Sequence, residues 1–400
     1  MEKGTVKWLN RERLAVYPKI IVGMYVVVLA YCFWGGPGLI KLAGPVGGDF
    51  SHYWMAASLA LQGEPAAVYD SSRLASAMEQ TFGQKIPLVW LYPPVFLLLM
   101  LPLALLPYLV SLVVWLSATL SGYLLVLRRL APHPATVWLA LAFPGTLQNI
   151  IHGQNGFLSA MLLGGGLLLL ERRPVISGLL FGLFCYKPHL ALLIPVALLA
   201  GRRWQALGAM AVAVLGLILA SYLILGSHVW SAFLNNLSVS TKVLETGTMP
   251  GHAVIVREKV TSMFSTILMA GGGTGAAWAG QATVMLLATA AVVWVWARPA
   301  PPAVRGAVLV LGILLFTPYE FIYDLAMLAL PLAWLGWEGF SKGWRPGEPS
   351  GLFIGGLTPL LAPALAKWLS LQVVPLVLLM LLILSLLRLE FVPRAPGTAG

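Results

Sequence analysis

Charge is scarce in this chain. Only 10% of its 400 residues are charged, against roughly a quarter in an ordinary soluble domain, while 59% are hydrophobic and the mean hydropathy is +0.86. These values exclude a typical soluble globular protein. Cysteine is nearly absent as well: Cys32 and Cys185 both lie in apolar stretches, which excludes a disulfide framework and leaves too few ligands for a cysteine-based metal site. The phosphate-loop glycine motif, the dinucleotide fingerprint, His-Glu-x-x-His and Gly-x-Ser-x-Gly are all missing, so a nucleotide-driven pump, a membrane metalloprotease and a serine hydrolase are poorly supported. No cofactor is called for, and a divalent metal is not indicated. The net charge of +11 does not point to nucleic acid, because the basic residues are scattered in pairs between apolar segments and form no continuous patch.

What is present is apolar segment after apolar segment. At about 20 residues per crossing, roughly a dozen spans and short loops use up the chain and leave no separate soluble domain. The expected fold class is all-α: a polytopic membrane helix bundle forming one integral membrane domain over 1–400. A basic run, Met1–Lys19, precedes the first span, which lacks a small-residue cleavage site and reads as a retained span with the N-terminus cytoplasmic. Further spans are expected at about 108–127, 135–151, 155–170, 174–187, 188–201, 204–226, 276–297, 303–318, 321–338, 350–366 and 370–388. Pro93–Leu106 is apolar but only 14 residues long and bounded by prolines, so it reads as a re-entrant helix. Lys and Arg concentrate in cytoplasmic loops, and with this topology 17 of the 25 fall inside and 8 outside. Counting Pro93–Leu106 as a full span inverts every later basic cluster.

Two long external loops follow, 42–92 and 227–275. The first has helical apolar spacing in His52–Leu61 and Ser71–Phe82, joined by Gly63-Glu64-Pro65, and these helices are expected to lie flat at the interface with Tyr53, Trp54 and Tyr69 at headgroup level. The second holds His228, Trp230, Lys242, Glu245, His252, Arg257, Glu258 and Lys259 and ends in three glycines. No internal repeat of the inverted-repeat transporter kind is evident.

Four polar clusters fall on the outer face of this topology: Gly48-Asp49-Phe50, His152-Gly153-Gln154-Asn155, Tyr186-Lys187-Pro188-His189, and Thr317-Pro318-Tyr319-Glu320 running to Tyr323-Asp324. Charged groups near hydrocarbon persist where they have a partner or a function. Each cluster has a plain alternative. Asp49 reads as an N-cap or a functional acid, and Asn155 as an N-cap. Lys187 reads as a snorkelling side chain or a point-charge phosphate anchor. Asp324 is either catalytic or an ion-pair partner of Lys187 or Arg257. Gly178 and Gly182 permit close helix contact and carry no chemistry.

The string Gly48-Asp49-Phe50-Ser51-His52-Tyr53-Trp54-Met55-Ala56-Ala57, the turn Gly63-Glu64-Pro65 with Val68-Tyr69-Asp70, and Tyr92-Pro93-Pro94 with Leu101-Pro102-Leu103 resemble glycosyltransferase family 87. His152-Gly153-Gln154-Asn155, Lys187-Pro188 and Tyr323-Asp324 continue the resemblance in the same order, over about residues 15–335. It implies an integral membrane glycosyltransferase of the type C fold in the cell (plasma or inner) membrane. Such enzymes use a polyprenyl-phosphate sugar donor, mannose in the better-known members. Their site lies on the external face, where an acidic residue opening the first external loop acts as base; the matching position is Asp49. The chain departs from the mannosyltransferase members in carrying Tyr319–Asp324 where they have a histidine, which leaves the sugar (mannose-like or pentose) and the envelope glycan or glycolipid acceptor open.

Glycosyl transfer from a lipid phosphate requires a base for the acceptor hydroxyl and positive charge for the departing phosphate. Asp49 fits the first role; Lys187, with His189 or Arg257, fits the second. Tyr92, His152, Gln154, Asn155, Tyr323 and Asp324 are the candidates to bind the substrate. The rival reading is a transporter or lipid flippase using Asp49, Asp324 and Lys187 as an ion or proton relay.

Overall fold

The computed structural model describes residues 11–34, 45–83, 89–248 and 257–390. The first basic residues of the N-terminal run, the exit of the first span, residues 84–88 of the first loop and His252 of the second lie outside them. Among the described residues the chain is all-helical, without named strands; one isolated antiparallel bridge joins Val260 to Phe321. Five helices have the length and apolarity to cross a membrane: Glu12–Tyr31, Tyr108–Leu130, Trp204–Leu225, Thr274–Trp296 and Glu348–Leu369. Six shorter apolar helices, of 10–17 residues, accompany them, five in between and Val374–Leu387 after the last. At about 1.5 Å per residue these fall short of a hydrocarbon core of about 30 Å.

Proline explains where the expected spans break. The segment 135–151 is two helices, Ala135–Ala142 and Pro144–His152, separated by extended Phe143, because the residue before a proline is pushed out of the helical region. The segment 188–201 is likewise divided at Leu192, two residues before Ile194-Pro195, where the missing proline N–H leaves the Ala191 carbonyl without its helical partner. The segment 321–338 opens as a 3₁₀ helix, Ile322–Leu328, before the α-helix Ala329–Lys342. Pro94–Ala104 matches the short helix expected there.

Pro302–Phe316 is buried along nearly its whole length and forms the middle of the bundle, as a helix apolar on all sides must. Trp204–Leu225 is largely uncovered and shows Val212, Leu215 and Leu223 outward, as a lipid-facing helix does. Pro174–Phe184 lies tightly against it: a Cβ at Gly178 would stand 2.2 Å from the Ala206 carbonyl oxygen, and one at Gly182 would stand 2.4 Å from the Ala213 Cβ.

Two expectations for the loops change. First, Tyr53 does not face outward: the helix Phe50–Leu61 is buried on most of its surface, and Tyr53 is 2% exposed in the interior. Trp54 and Tyr69 are also tied inward, donating to the carbonyls of Leu106 and Tyr92. Second, the segment 227–275 carries a 20-residue helix, Ser227–Thr246, closed by left-handed Gly247. Its apolar face is broken by Asn235, Asn236, Ser238 and Ser240, which hides its periodicity.

Candidate active site

Two glycine turns set the first acid. Gly47 and Gly48 have positive φ, and their turn lies against the turn at Gly153, where a Cβ would stand 2.7 Å from the Gly47 carbonyl oxygen and 2.5 Å from the Phe50 Cβ. The Trp115 indole holds the Gly153 carbonyl at 3.1 Å. This contact brings Asp49 beside Gln154, although 105 positions separate them. Asp49 occupies the N-cap position of Phe50–Leu61, but its side chain caps nothing; it accepts a 2.6 Å hydrogen bond from Gln154 Nε2. The Tyr323 phenol stands beside the same carboxylate. Asp49 forms no ion pair among the described residues.

Behind Gln154 the polar groups continue inward. Tyr53 donates to Gln154 Oε1 at 2.6 Å, and the Tyr53 and Tyr92 hydroxyls are 3.0 Å apart. Asn155 Nδ2 reaches both tyrosines, at 3.2 and 2.9 Å. Asn155 is therefore no side-chain N-cap for Gly156–Leu169, although it holds that position.

Lys187 and Asp324 meet in a buried ion pair of 2.5 Å, with side chains 5% and 1% exposed. Asp324 Oδ2 also accepts from the Phe321 amide, which fixes the start of the 3₁₀ helix. Asn149, absent from the sequence reading, is buried and ties this helix to its neighbours: Nδ2 donates to the Tyr323 and Gly145 carbonyls at 2.9 Å and Oδ1 accepts from Gly156. Glu320 is fully buried, and its carboxyl oxygens have no hydrogen-bond partner among the described residues. Burial, and then the charge of Asp324, push that carboxyl well above the usual carboxylate range.

These groups converge on a cavity of about 410 Å³. Asp49, Tyr92, Gln154, Lys187, His189, Tyr323 and Asp324 all line it, which brings all four polar clusters to one place. Three other sequence candidates do not line it. His152 packs its ring 5.3 Å from Tyr323, Asn155 lies behind the tyrosines, and Arg257 donates to the carbonyls of Glu245 and Thr246. The helix Ser227–Thr246 contributes Phe233, Leu237, Ser240 and Thr241, and Leu74, Val89 and Leu91 extend the apolar wall. Lys259 also lines the cavity; it is exposed and forms no ion pair among the described residues. Its segment is held in place by the Thr261 amide, which donates to the Glu320 carbonyl at 2.8 Å. Among the described residues no three His, Cys, Asp or Glu side chains group as metal ligands.

The described residues form an all-helical bundle of membrane type, with a cavity that has both polar and apolar walls. The sequence model of glycosyltransferase family 87 matches residues 90–318, more than half of the chain. The chain belongs to glycosyltransferase family 87 and is a membrane glycosyltransferase. No curated protein and no solved structure matches it. Family membership favours transfer chemistry over the relay reading.

Proposed function

We propose that the protein transfers a sugar, mannose-like or a pentose, from a polyprenyl-phosphate donor to an envelope glycan or glycolipid. The reaction takes place on the outer face of the cell membrane, within a type C fold. The observation that carries this reading is the cavity in which Asp49, without an ion-pair partner among the described residues, stands beside an apolar wall of Leu74, Val89, Leu91, Phe233 and Leu237. Asp49 takes the proton of the acceptor hydroxyl. The acceptor oxygen bonds to the anomeric carbon, the bond from that carbon to the phosphate oxygen breaks, and the polyprenyl phosphate leaves with the electron pair. Gln154, Tyr92, Tyr323 and the Lys187–Asp324 pair present donors and acceptors to sugar hydroxyls.

The phosphate role shifts within the site. Lys187 is committed to Asp324, so among the described residues that line the cavity the ammonium left to meet the phosphate is that of Lys259. Lys259→Ala is expected to raise the KM for the polyprenyl-phosphate sugar by roughly 10- to 10²-fold, the value of one charge-assisted hydrogen bond, with partial rescue by Arg. An unchanged donor KM in Lys259→Ala removes it from the phosphate site.

The orientation is tested separately. In a variant lacking Cys32 and Cys185, single cysteines at the exposed positions Gln80 and Leu237 are expected to react with an impermeant thiol reagent added to intact cells or spheroplasts. One at exposed Ser341, beside Lys342, is expected to stay unlabelled. Labelling of the Ser341 variant alone reverses the topology.

A further inference from the structure

We infer that Tyr53 is a positioning residue of the transfer reaction, acting through Gln154 to fix which end of the Gln154 amide meets Asp49. The inference rests on Asp49 being the base. An ionised carboxylate only accepts hydrogen bonds, so the Gln154 group 2.6 Å from Asp49 Oδ2 must be the NH₂. Gln154 Oε1 then faces the Tyr53 hydroxyl at 2.6 Å, and Tyr53 must donate. With its only proton committed, the Tyr53 oxygen accepts from the Tyr92 hydroxyl at 3.0 Å and from Asn155 Nδ2 at 3.2 Å. The Tyr92 oxygen in turn accepts from Asn155 Nδ2 at 2.9 Å. Every donor therefore points one way, from Asn155 through Tyr92, Tyr53 and Gln154 to Asp49.

Burial makes this direction matter. Tyr53 is 2%, Gln154 5% and Asn155 0% exposed, so bulk water does not replace a lost partner. The phenol of Tyr53 keeps its proton, because burial first, and then Tyr92 and Asp49, push its ionisation well above the ordinary tyrosine range. If the Gln154 amide turns over, its carbonyl oxygen faces the carboxylate and repels it. Tyr53, at 2.6 Å, is the closer of two donors to that oxygen, the Asn155 backbone amide standing at 3.3 Å, and while it donates that turn is blocked. Oδ2 of Asp49 stays pinned, and the other oxygen remains for the acceptor hydroxyl. Tyr53 lies four residues after Asp49, one helical turn along Phe50–Leu61, so the donor to Gln154 and the acceptor from it are set by one rigid element.

The test is a double-mutant cycle on the full-length protein in detergent, using polyprenyl-phosphate sugars as donors. Tyr53→Phe keeps the ring and removes the donor. At matched amounts of folded protein it is expected to lower kcat roughly 10- to 10²-fold, the range for a displaced catalytic group, while donor and acceptor KM stay near wild type. The variant Tyr53→Phe/Gln154→Ala is expected to be no slower than Gln154→Ala alone, since Tyr53 acts only through that amide. Turnover of Tyr53→Phe within about twofold of wild type, or losses that multiply in the double variant, overturns the inference. A wild-type protein that consumes no donor overturns the transferase reading itself, and that outcome is distinguishable because it appears before any variant is made.

Discussion

Asp49→Asn is expected to slow glycosyl transfer by roughly 10²–10⁴-fold, the usual contribution of a positioned general base. The substitution keeps the size of the side chain and an oxygen able to accept from Gln154 Nε2, but it cannot take up a proton. Fold stability is expected to change little: Asp49 occupies the N-cap position without making the capping bond, and Asn caps about as well as Asp in any case. The measurement is turnover at matched expression, together with donor binding, because an Asp49 that only oriented the sugar would weaken binding too. Near-normal transfer by Asp49→Asn moves the base elsewhere, with Asp324 the next residue to replace.

Lys187→Met is expected to destabilise the protein by about 3–5 kcal/mol, the cost of removing one partner of a buried ion pair and leaving the other charge uncompensated. Asp324 is 1% exposed, and among the described residues its other oxygen is held by the Phe321 amide alone, so the stranded charge has little to relax into. Replacing both partners removes the charge along with its need for one. Lys187→Met/Asp324→Leu is therefore expected to recover most of the lost stability, measured by unfolding in detergent, while remaining impaired in transfer. If Lys187→Met unfolds like wild type, the ammonium is not compensating Asp324 and its role as a free phosphate anchor returns.

The membrane class and the main helical segments were legible in the sequence because hydropathy and proline act locally. Tyr108–Leu130 and Trp204–Leu225 are long apolar runs, and Pro93-Pro94 marks the start of a short helix. The convergence of four clusters was legible through charge, since the distribution of Lys and Arg fixes which loops share a side. Pairing was not. Nothing local distinguishes Lys187 bonded to Asp324, 137 positions away, from a free ammonium. Tyr53 looked like an interfacial aromatic because its sequence neighbours are amphipathic; only the packing of Phe50–Leu61 against Pro94–Ala104 turns it inward. Asn149 carried a faint signal, the second of two adjacent amides in the helix Pro144–His152, yet its partners come from three separate segments. Lys259 stood in a loop crowded with charge, and its selection over Arg257 depends on which side chain reaches the cavity.

The central claim is that the Asp49 cavity transfers sugar from a lipid phosphate, and consumption of the donor tests it most directly. Purified wild-type protein in detergent, without sealed compartments, is incubated with a panel of polyprenyl-phosphate sugars and candidate glycan or glycolipid acceptors. The account predicts that one donor is consumed, that free polyprenyl phosphate appears in step with glycosylated acceptor, and that Asp49→Asn abolishes both. Movement of lipid-linked sugar across sealed vesicles without any cleavage of the sugar–phosphate bond would contradict it.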